Sequence, residues 1–219
     1  MRKIALIGLA LLFAGFALTG GARAGVDIGL SLDSDGIKGF YLAIGDHYQV
    51  PEKEIVFVRE KKFPDEEMPV VFFLARHANV TSQVIISLRL GGKSWMDICT
   101  HYHLSPDLFY VPLKHDPGPP YGKAWGHFKN KKRKKNDWGS IRFSDADIVN
   151  FVNLKFVSEK YGYSPDEVIK MRSGGSDFVA IHGKVKKAKK NHKKAAAKHA
   201  SSDDERQKGK KKKGKGKNK

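Results

Sequence analysis

Apolar and polar residues follow one short pattern that recurs along this chain. An apolar residue precedes a Ser, Thr or Pro, polar positions follow, and an apolar stripe then ends in Arg. The full copies are residues 50–59, 80–92 and 163–175, and a shorter copy is 104–111. Ser164 with Glu167 fits a capping box, and Pro165 stands at a first helical position, where a missing amide costs nothing. Each copy therefore predicts a short helix that begins at a cap.

A second apolar stretch precedes each copy and also predicts a helix. These stretches are 40–48, 68–78, 95–103 and 148–161. Gly-Gly pairs after Arg89 and Arg172 allow the left-handed backbone that ends a helix. The unit is thus helix, turn, helix, and it is too small to bury its own apolar face, so neighbouring units must stack. The predicted core positions are Ile55, Phe73, Leu74, Ile85, Leu88, Trp95, Ile98, Phe151, Val168 and Met171.

The first 24 residues have the features of a cleaved signal peptide. Arg2 and Lys3 precede an apolar run at Ile4–Leu18, which is short for a membrane span. Ala22-Arg23-Ala24 is a small-x-small cleavage site, so we expect the mature chain to begin at Gly25 and to have no membrane span. The alternative is an uncleaved anchor. The sequence predicts a periplasmic or secreted protein.

The remaining chain is expected to be mainly α. Stacked helix-turn-helix-like hairpins form a domain at 25–183, with a short extended arm at Val26–Leu32. A Pro-, Gly- and Lys-rich loop at 112–143 interrupts the repeats. It is either a structured functional loop or a disordered insertion whose aromatic residues dock on the helices. Residues 184–219 are expected to form a disordered Lys-rich tail, because they contain no Phe, Trp or Tyr to build a core.

Charge is distributed very unevenly along the chain. The whole sequence has 41 Lys+Arg against 23 Asp+Glu, a formal net charge of +18, and most of this excess lies in the tail. Such tails bind polyanions by neutralising phosphates and releasing counterions, without reading sequence. The candidate polyanion-binding residues are Lys129, Lys131, Lys132, Arg133, Lys134, Lys135, Lys186, Lys187, Lys189, Lys190, Lys210, Lys211, Lys212 and Lys213. Tyr121, Trp125 and Trp138 beside the basic loop are candidates for stacking on sugars or bases.

Candidate chemistry is sparse. Cys99, His101 and His103 are three soft metal ligands within five residues, but on a helix residue 101 points away from the other two. The sequence contains neither a P-loop nor a Gly-x-Ser-x-Gly motif. We therefore expect no catalytic activity and no cofactor. A metal site or enzyme that uses Cys99 with His101 or His103 is the alternative.

Residues 93–111 resemble a DNA-binding helix-turn-helix. That resemblance implies a second helix that enters the major groove and reads bases with exposed polar side chains. Here the second helix offers Leu108, Phe109, Tyr110 and Val111, which suit packing. Nucleic-acid binding through these units is therefore the second interpretation. The first is an exported, non-enzymatic binding or scaffold protein whose tail associates with anionic envelope polymers: lipopolysaccharide, acidic polysaccharide or extracellular nucleic acid.

Overall fold

The computed structural model describes residues 35–129, 135–191 and 194, and the regular elements within these ranges are all helices. The α-helices are α1 (Asp35–Tyr48), α2 (Glu52–Glu60), α3 (Met68–Ala78), α4 (Ser82–Leu90), α5 (Trp95–His101), α6 (Gly122–Lys129), α7 (Asp145–Tyr161), α8 (Pro165–Ser173) and α9 (residues 178–191). Short 3-10 helices lie at Asp65–Glu67, Pro106–Phe109 and Lys135–Ser140. The predicted mainly α fold is confirmed. The predicted signal peptide and the extended arm at Val26–Leu32 lie outside the described residues.

One turn geometry is shared by four successive hairpins. In each, the first helix is followed by a residue with a left-handed backbone, two positions before the next N-cap. These residues are Gln49, Asn79, His103 and Gly162, with φ between 53° and 74°. In the first three hairpins the next amide donates to the carbonyl five residues earlier, over 2.8–3.0 Å. This is the Schellman arrangement, which satisfies carbonyls at a helix end.

Helix starts and ends also follow the repeat. Capping boxes form at Ser94, Ser144 and Ser164, the last as predicted. Three residues after the Arg of each full copy stands a residue of positive φ, which is Lys62, Gly92 or Gly175. The copies therefore agree in backbone geometry as well as in sequence pattern.

The short copy departs from the others. Its second helix is only a four-residue 3-10 turn, Pro106–Phe109. Phe109 is fully buried and packs against Phe73 and Phe143, at ring distances of 5.8 and 6.0 Å. The DNA-binding helix-turn-helix that residues 93–111 resemble needs a second helix long enough to enter a groove. This segment does not form one.

Helices α3 and α7 pack together at the centre of the fold. All of α3 from Met68 to Ala75 is buried, which explains its unbroken apolar sequence. Eight of the ten predicted core residues are buried, but Leu88 and Met171 are only half-buried. Helices α4 and α8 bury their adjacent apolar pairs instead, Ile85-Ile86 and Val168-Ile169. The last turn of each helix is therefore less buried than its first turns. This turn carries Arg89 in α4 and Arg172 in α8, which are partly buried.

The segment 112–143, for which the sequence left two alternatives open, includes regular helices. It contains α6 and the 3-10 helix Lys135–Ser140. Phe128 lies within 6.1 Å, ring to ring, of four other aromatic side chains, namely Tyr110, Trp138, Phe143 and Phe151. Docking of aromatic residues on the helices was one of the two alternatives, but local Pro and Gly signals do not indicate these particular partners, some of which are far apart in sequence.

Candidate functional site

The lysine-rich C-terminal region begins as an ordered helix docked on the body. Phe178, Ile181, His182 and Val185 are all buried, and their i, i+3, i+4, i+7 spacing forms one apolar stripe along α9. Asp177 caps the helix by accepting from the amide of Ala180 over 2.6 Å. The boundary predicted at residue 184 therefore falls inside a helix. The shift in composition concealed the buried Val185.

Arg172 anchors the start of α9. Its guanidinium lies 4.9 Å from the ring centre of Phe178 and donates to the carbonyl of Ser176 over 3.2 Å. It also pairs with Glu66 over 3.4 Å, and the other oxygen of Glu66 accepts from the amide of Phe178 at 2.6 Å. One Arg thus holds the turn, the first aromatic residue of α9 and a carboxylate from a distant 3-10 helix.

Arg89 makes the same set of contacts 83 residues earlier. It lies 4.5 Å from the Trp95 ring, donates to the carbonyl of Lys93 and pairs with Glu67 over 3.2 Å. Asp145 also pairs with Arg89 and accepts from the amide of Trp95. Helix α9 therefore follows α8 in the same way that α5 follows α4. By this correspondence α9 is the first helix of a further repeat unit.

Helix α9 does not end at the position where α5 ends. The residue 83 positions after His103, where α5 turns, is Lys186, and α9 continues through it to residue 191. From Lys186 to residue 191 every side chain is exposed. Residues 178–191 contain five lysines and no Asp or Glu. We call residues 184–191 the arm, and Phe178, Ile181, His182 and Val185 its root.

The structure describes six of the fourteen predicted polyanion-binding residues. Lys186, Lys187, Lys189 and Lys190 lie together on the exposed arm. Lys129 is exposed but pairs with Asp116 over 3.1 Å and lies over the Trp125 ring. Lys135 is described only in its backbone, and the remainder lie outside the described residues, namely Lys131, Lys132, Arg133, Lys134, Lys210, Lys211, Lys212 and Lys213.

The three predicted stacking residues are buried, and this burial speaks against a stacking role. Tyr121, Trp125 and Trp138 are 1%, 8% and 9% exposed. The Trp125 indole donates to the carbonyl of Val111 over 3.2 Å, and Trp138 packs on Phe128. A ring must present a face to solvent to stack on a base or sugar. These rings present theirs to other protein side chains.

The Cys99 cluster does not converge. Cys99 is fully buried in α5, and burial raises the pKa of its thiol to about 12. His101, at the end of α5, and His103, in the turn that follows, are both exposed. Within the described ranges no group of three or more His, Cys, Asp or Glu side chains is arranged to hold a metal ion.

No single helix in the described part of the chain is long and apolar enough to cross a membrane. Helices α3 and α4 pass that test only as a pair bent by 118° at their turn. The apolar face of α3 is covered by protein.

Comparison of the chain with protein-family models, with curated proteins and with solved structures found no match.

Proposed function

We propose that this is an exported, non-enzymatic binding or scaffold protein whose lysine-rich C-terminal region, residues 184–219, attaches its helical body to anionic envelope polymers. Lipopolysaccharide, acidic polysaccharide and extracellular nucleic acid share the required chemistry, which is a dense row of phosphate or carboxylate groups. Export is inferred from the signal-peptide pattern of residues 1–24.

The observation that carries this proposal is the arm. Five of its first seven residues are exposed lysines, and the root fixes where they emerge from the body. A helix rises about 1.5 Å per residue, so these charges are concentrated within roughly 10 Å of axis. Concentrated lysines release condensed counterions from a polyanion, which yields affinity without sequence preference. The arm carries no aromatic residue, so it does not supply base stacking.

The two alternatives have less geometric support. A base-reading helix needs exposed polar residues on a helix of several turns, whereas Pro106–Phe109 is one 3-10 turn with Pro106 and Phe109 buried. A reactive or metal-binding thiol needs a lowered pKa and access to solvent, and Cys99 has neither.

The test compares the full chain with a variant that ends at residue 191. Ending the chain at 183 would be less informative, because it also removes the buried Val185. Each protein is titrated with a DNA duplex and with lipopolysaccharide at 50 and 200 mM salt. We expect the shortened variant to keep its helical circular dichroism, to bind both polymers more weakly and to lose less affinity as salt rises.

Equal binding by the two forms at both salt concentrations would exclude residues 192–219 from the contact. If the replacement of Lys187, Lys189 and Lys190 by Gln also left binding unchanged, attachment through the lysine-rich region would be refuted. Binding that depends on one particular DNA sequence and survives the shortening would support the helix-turn-helix interpretation instead.

A further inference from the structure

The root of the arm contains a histidine in an unusual position. His182 is 1% exposed, and its Nε2 atom has no hydrogen-bond partner. The ring packs edge-on against Phe40 of α1 and Tyr161 of α7, at 5.7 and 5.5 Å between ring centres. Its Nδ1 atom makes a 2.6 Å hydrogen bond with the Tyr161 hydroxyl. The residue therefore joins α9 to two helices of the body.

The Lys186 ammonium lies on the Nε2 side of this ring, next to Gly39 of α1. A Cβ atom built on Gly39 would lie 3.0 Å from Lys186 Nζ and 3.1 Å from His182 Nε2, so both nitrogens lie against the same point of α1. The absence of a side chain at Gly39 is what allows this close approach. Lys186 is also the first residue past the root, so one end of the exposed arm places an ammonium near the buried ring.

The surrounding charges oppose a second positive charge here. On α7, Lys160 pairs with Asp46 of α1 and is influenced by Lys189 of the arm. Two carboxylates lie near the start of α9: Asp177 caps the helix, and Glu66 is already bound to Arg172. No carboxylate among the described residues pairs with His182. Burial, and then the Lys186 ammonium, lower the pKa of His182 to about 4.

We propose that His182 is a proton-sensitive latch that holds the root of the arm on the body, and that anion capture by Lys186 and protonation of His182 favour one another. The first part stands on the packing of the ring, and the second rests on the proposed function. When the ring between Phe40 and Tyr161 is protonated, it becomes a buried cation near the Lys186 ammonium, which is unfavourable. Release of α9 exposes this cation to water and so removes the cost. An anion that neutralises Lys186 removes part of the opposition to that proton, and by reciprocity the proton strengthens anion binding.

The direction and size of the pH effect on docking follow from the difference in the pKa of His182 between the docked and released states. The docked ring takes its proton near pH 4, and the released ring takes it near the ordinary value of 6.5. Between these values the released state binds more protons, so docking weakens as pH falls. The opening equilibrium rises about tenfold per pH unit across this window, or roughly two orders of magnitude between pH 7 and pH 4.

The test is hydrogen exchange of the full chain at pH 7 and pH 4, with rates corrected for the intrinsic effect of pH. We expect the amides of residues 182–186 to accelerate by roughly two orders of magnitude. Amides of α3 serve as the internal reference for general acid unfolding. Unchanged protection of 182–186 at pH 4 would overturn the latch, and so would an NMR titration of the His182 ring with a pKa near 6.5.

Two variants separate titration from packing. His182→Gln keeps a polar side chain but does not titrate, so its acid-induced acceleration should vanish. Lys186→Gln removes the neighbouring ammonium, which raises the docked pKa, so its acceleration should be smaller than in the parent chain. Lys186→Gln therefore still tests whether titration of His182 controls docking, even if the amides of the root exchange freely at pH 7 in His182→Gln. An acceleration equal to that of the parent in both variants would refute the role of His182.

The coupling to anions is tested with heparin, whose sulfates stay ionised across this range. We expect heparin affinity to rise between pH 7 and pH 4 by a larger factor in the parent chain than in His182→Gln. Equal rises would overturn the coupling alone. No heparin binding at any pH would count against the proposed function and so against the coupling, while the exchange experiment would still judge the latch.

Discussion

Neutralising the outer lysines of the arm should reduce the salt dependence of polyanion binding by a predictable amount. The substitutions are Lys187→Gln, Lys189→Gln and Lys190→Gln, made together in the full chain. All three side chains are exposed, and none forms an ion pair with another described residue. Lys186 is left intact because its ammonium lies beside Gly39, close to the His182 ring. The fold should therefore be unaffected, and only the charge presented to the polymer changes.

The magnitude comes from counterion release. Each lysine that neutralises a duplex phosphate contributes about 0.9 to the slope of log affinity against log salt, so three contribute about 2.7. Between 50 and 200 mM salt, that slope corresponds to roughly a 40-fold difference in how much affinity is lost. Fluorescence anisotropy with a labelled duplex at four salt concentrations measures the slope directly.

The control removes the same charge from the body of the protein. Lys53, Lys123 and Lys170 are exposed on α2, α6 and α8, so their replacement by Gln matches the change in net charge. We expect a change of slope well below that of the arm variant. Equal changes in the two variants would mean that net charge, and not the arm, governs binding.

Three further predictions concern the body. Phe178→Ala should lower the free energy of unfolding in urea by about 3–5 kcal/mol, since this ring is fully buried and anchors α9; a loss below about 1 kcal/mol would mean that the root is not part of the core. Cys99 should resist a thiol reagent at pH 8 until denaturant is added, because its thiol is buried with a pKa of about 12; rapid labelling of the native protein would contradict this. Trp125→Phe leaves the carbonyl of Val111 without its indole donor and should cost about 1–3 kcal/mol of stability with polymer binding unchanged. Weaker polymer binding at unchanged stability would restore a ligand-stacking role for Trp125.

The paired clamps of Arg89 and Arg172 show how the repeat is stabilised. Glu66 and Glu67 are adjacent residues of one 3-10 helix, yet each serves a different hairpin. Both arginines are partly buried against an aromatic ring, which shields the ion pairs from water and salt. The 3-10 helix therefore links the α3–α4 hairpin to the α7–α8 hairpin, and it sets where α9 leaves the body.

Local sequence determined the hairpins of this protein. A Ser or Thr precedes three of the four second helices, and Pro51 precedes the other. These residues, the acidic partners of the capping boxes and the Gly-Gly pairs after Arg89 and Arg172 all act within one helical turn. Their geometry needs no distant partner, so the bounds of α3 and the start of α8 could be predicted from the sequence alone. The alternation of apolar positions likewise identified most of the core.

Tertiary structure decided which side chains are buried and which distant residues they contact. Glu66 reaches Arg172 across 106 positions, a pairing that no local pattern indicates. Trp125 and Trp138 looked like exposed aromatics among lysines, and only packing against residues such as Phe128 buries them. The arm shows the same limit. Composition changes at residue 184, but burial of the root depends on helices α1 and α7, so the docked helix extends past the change in composition.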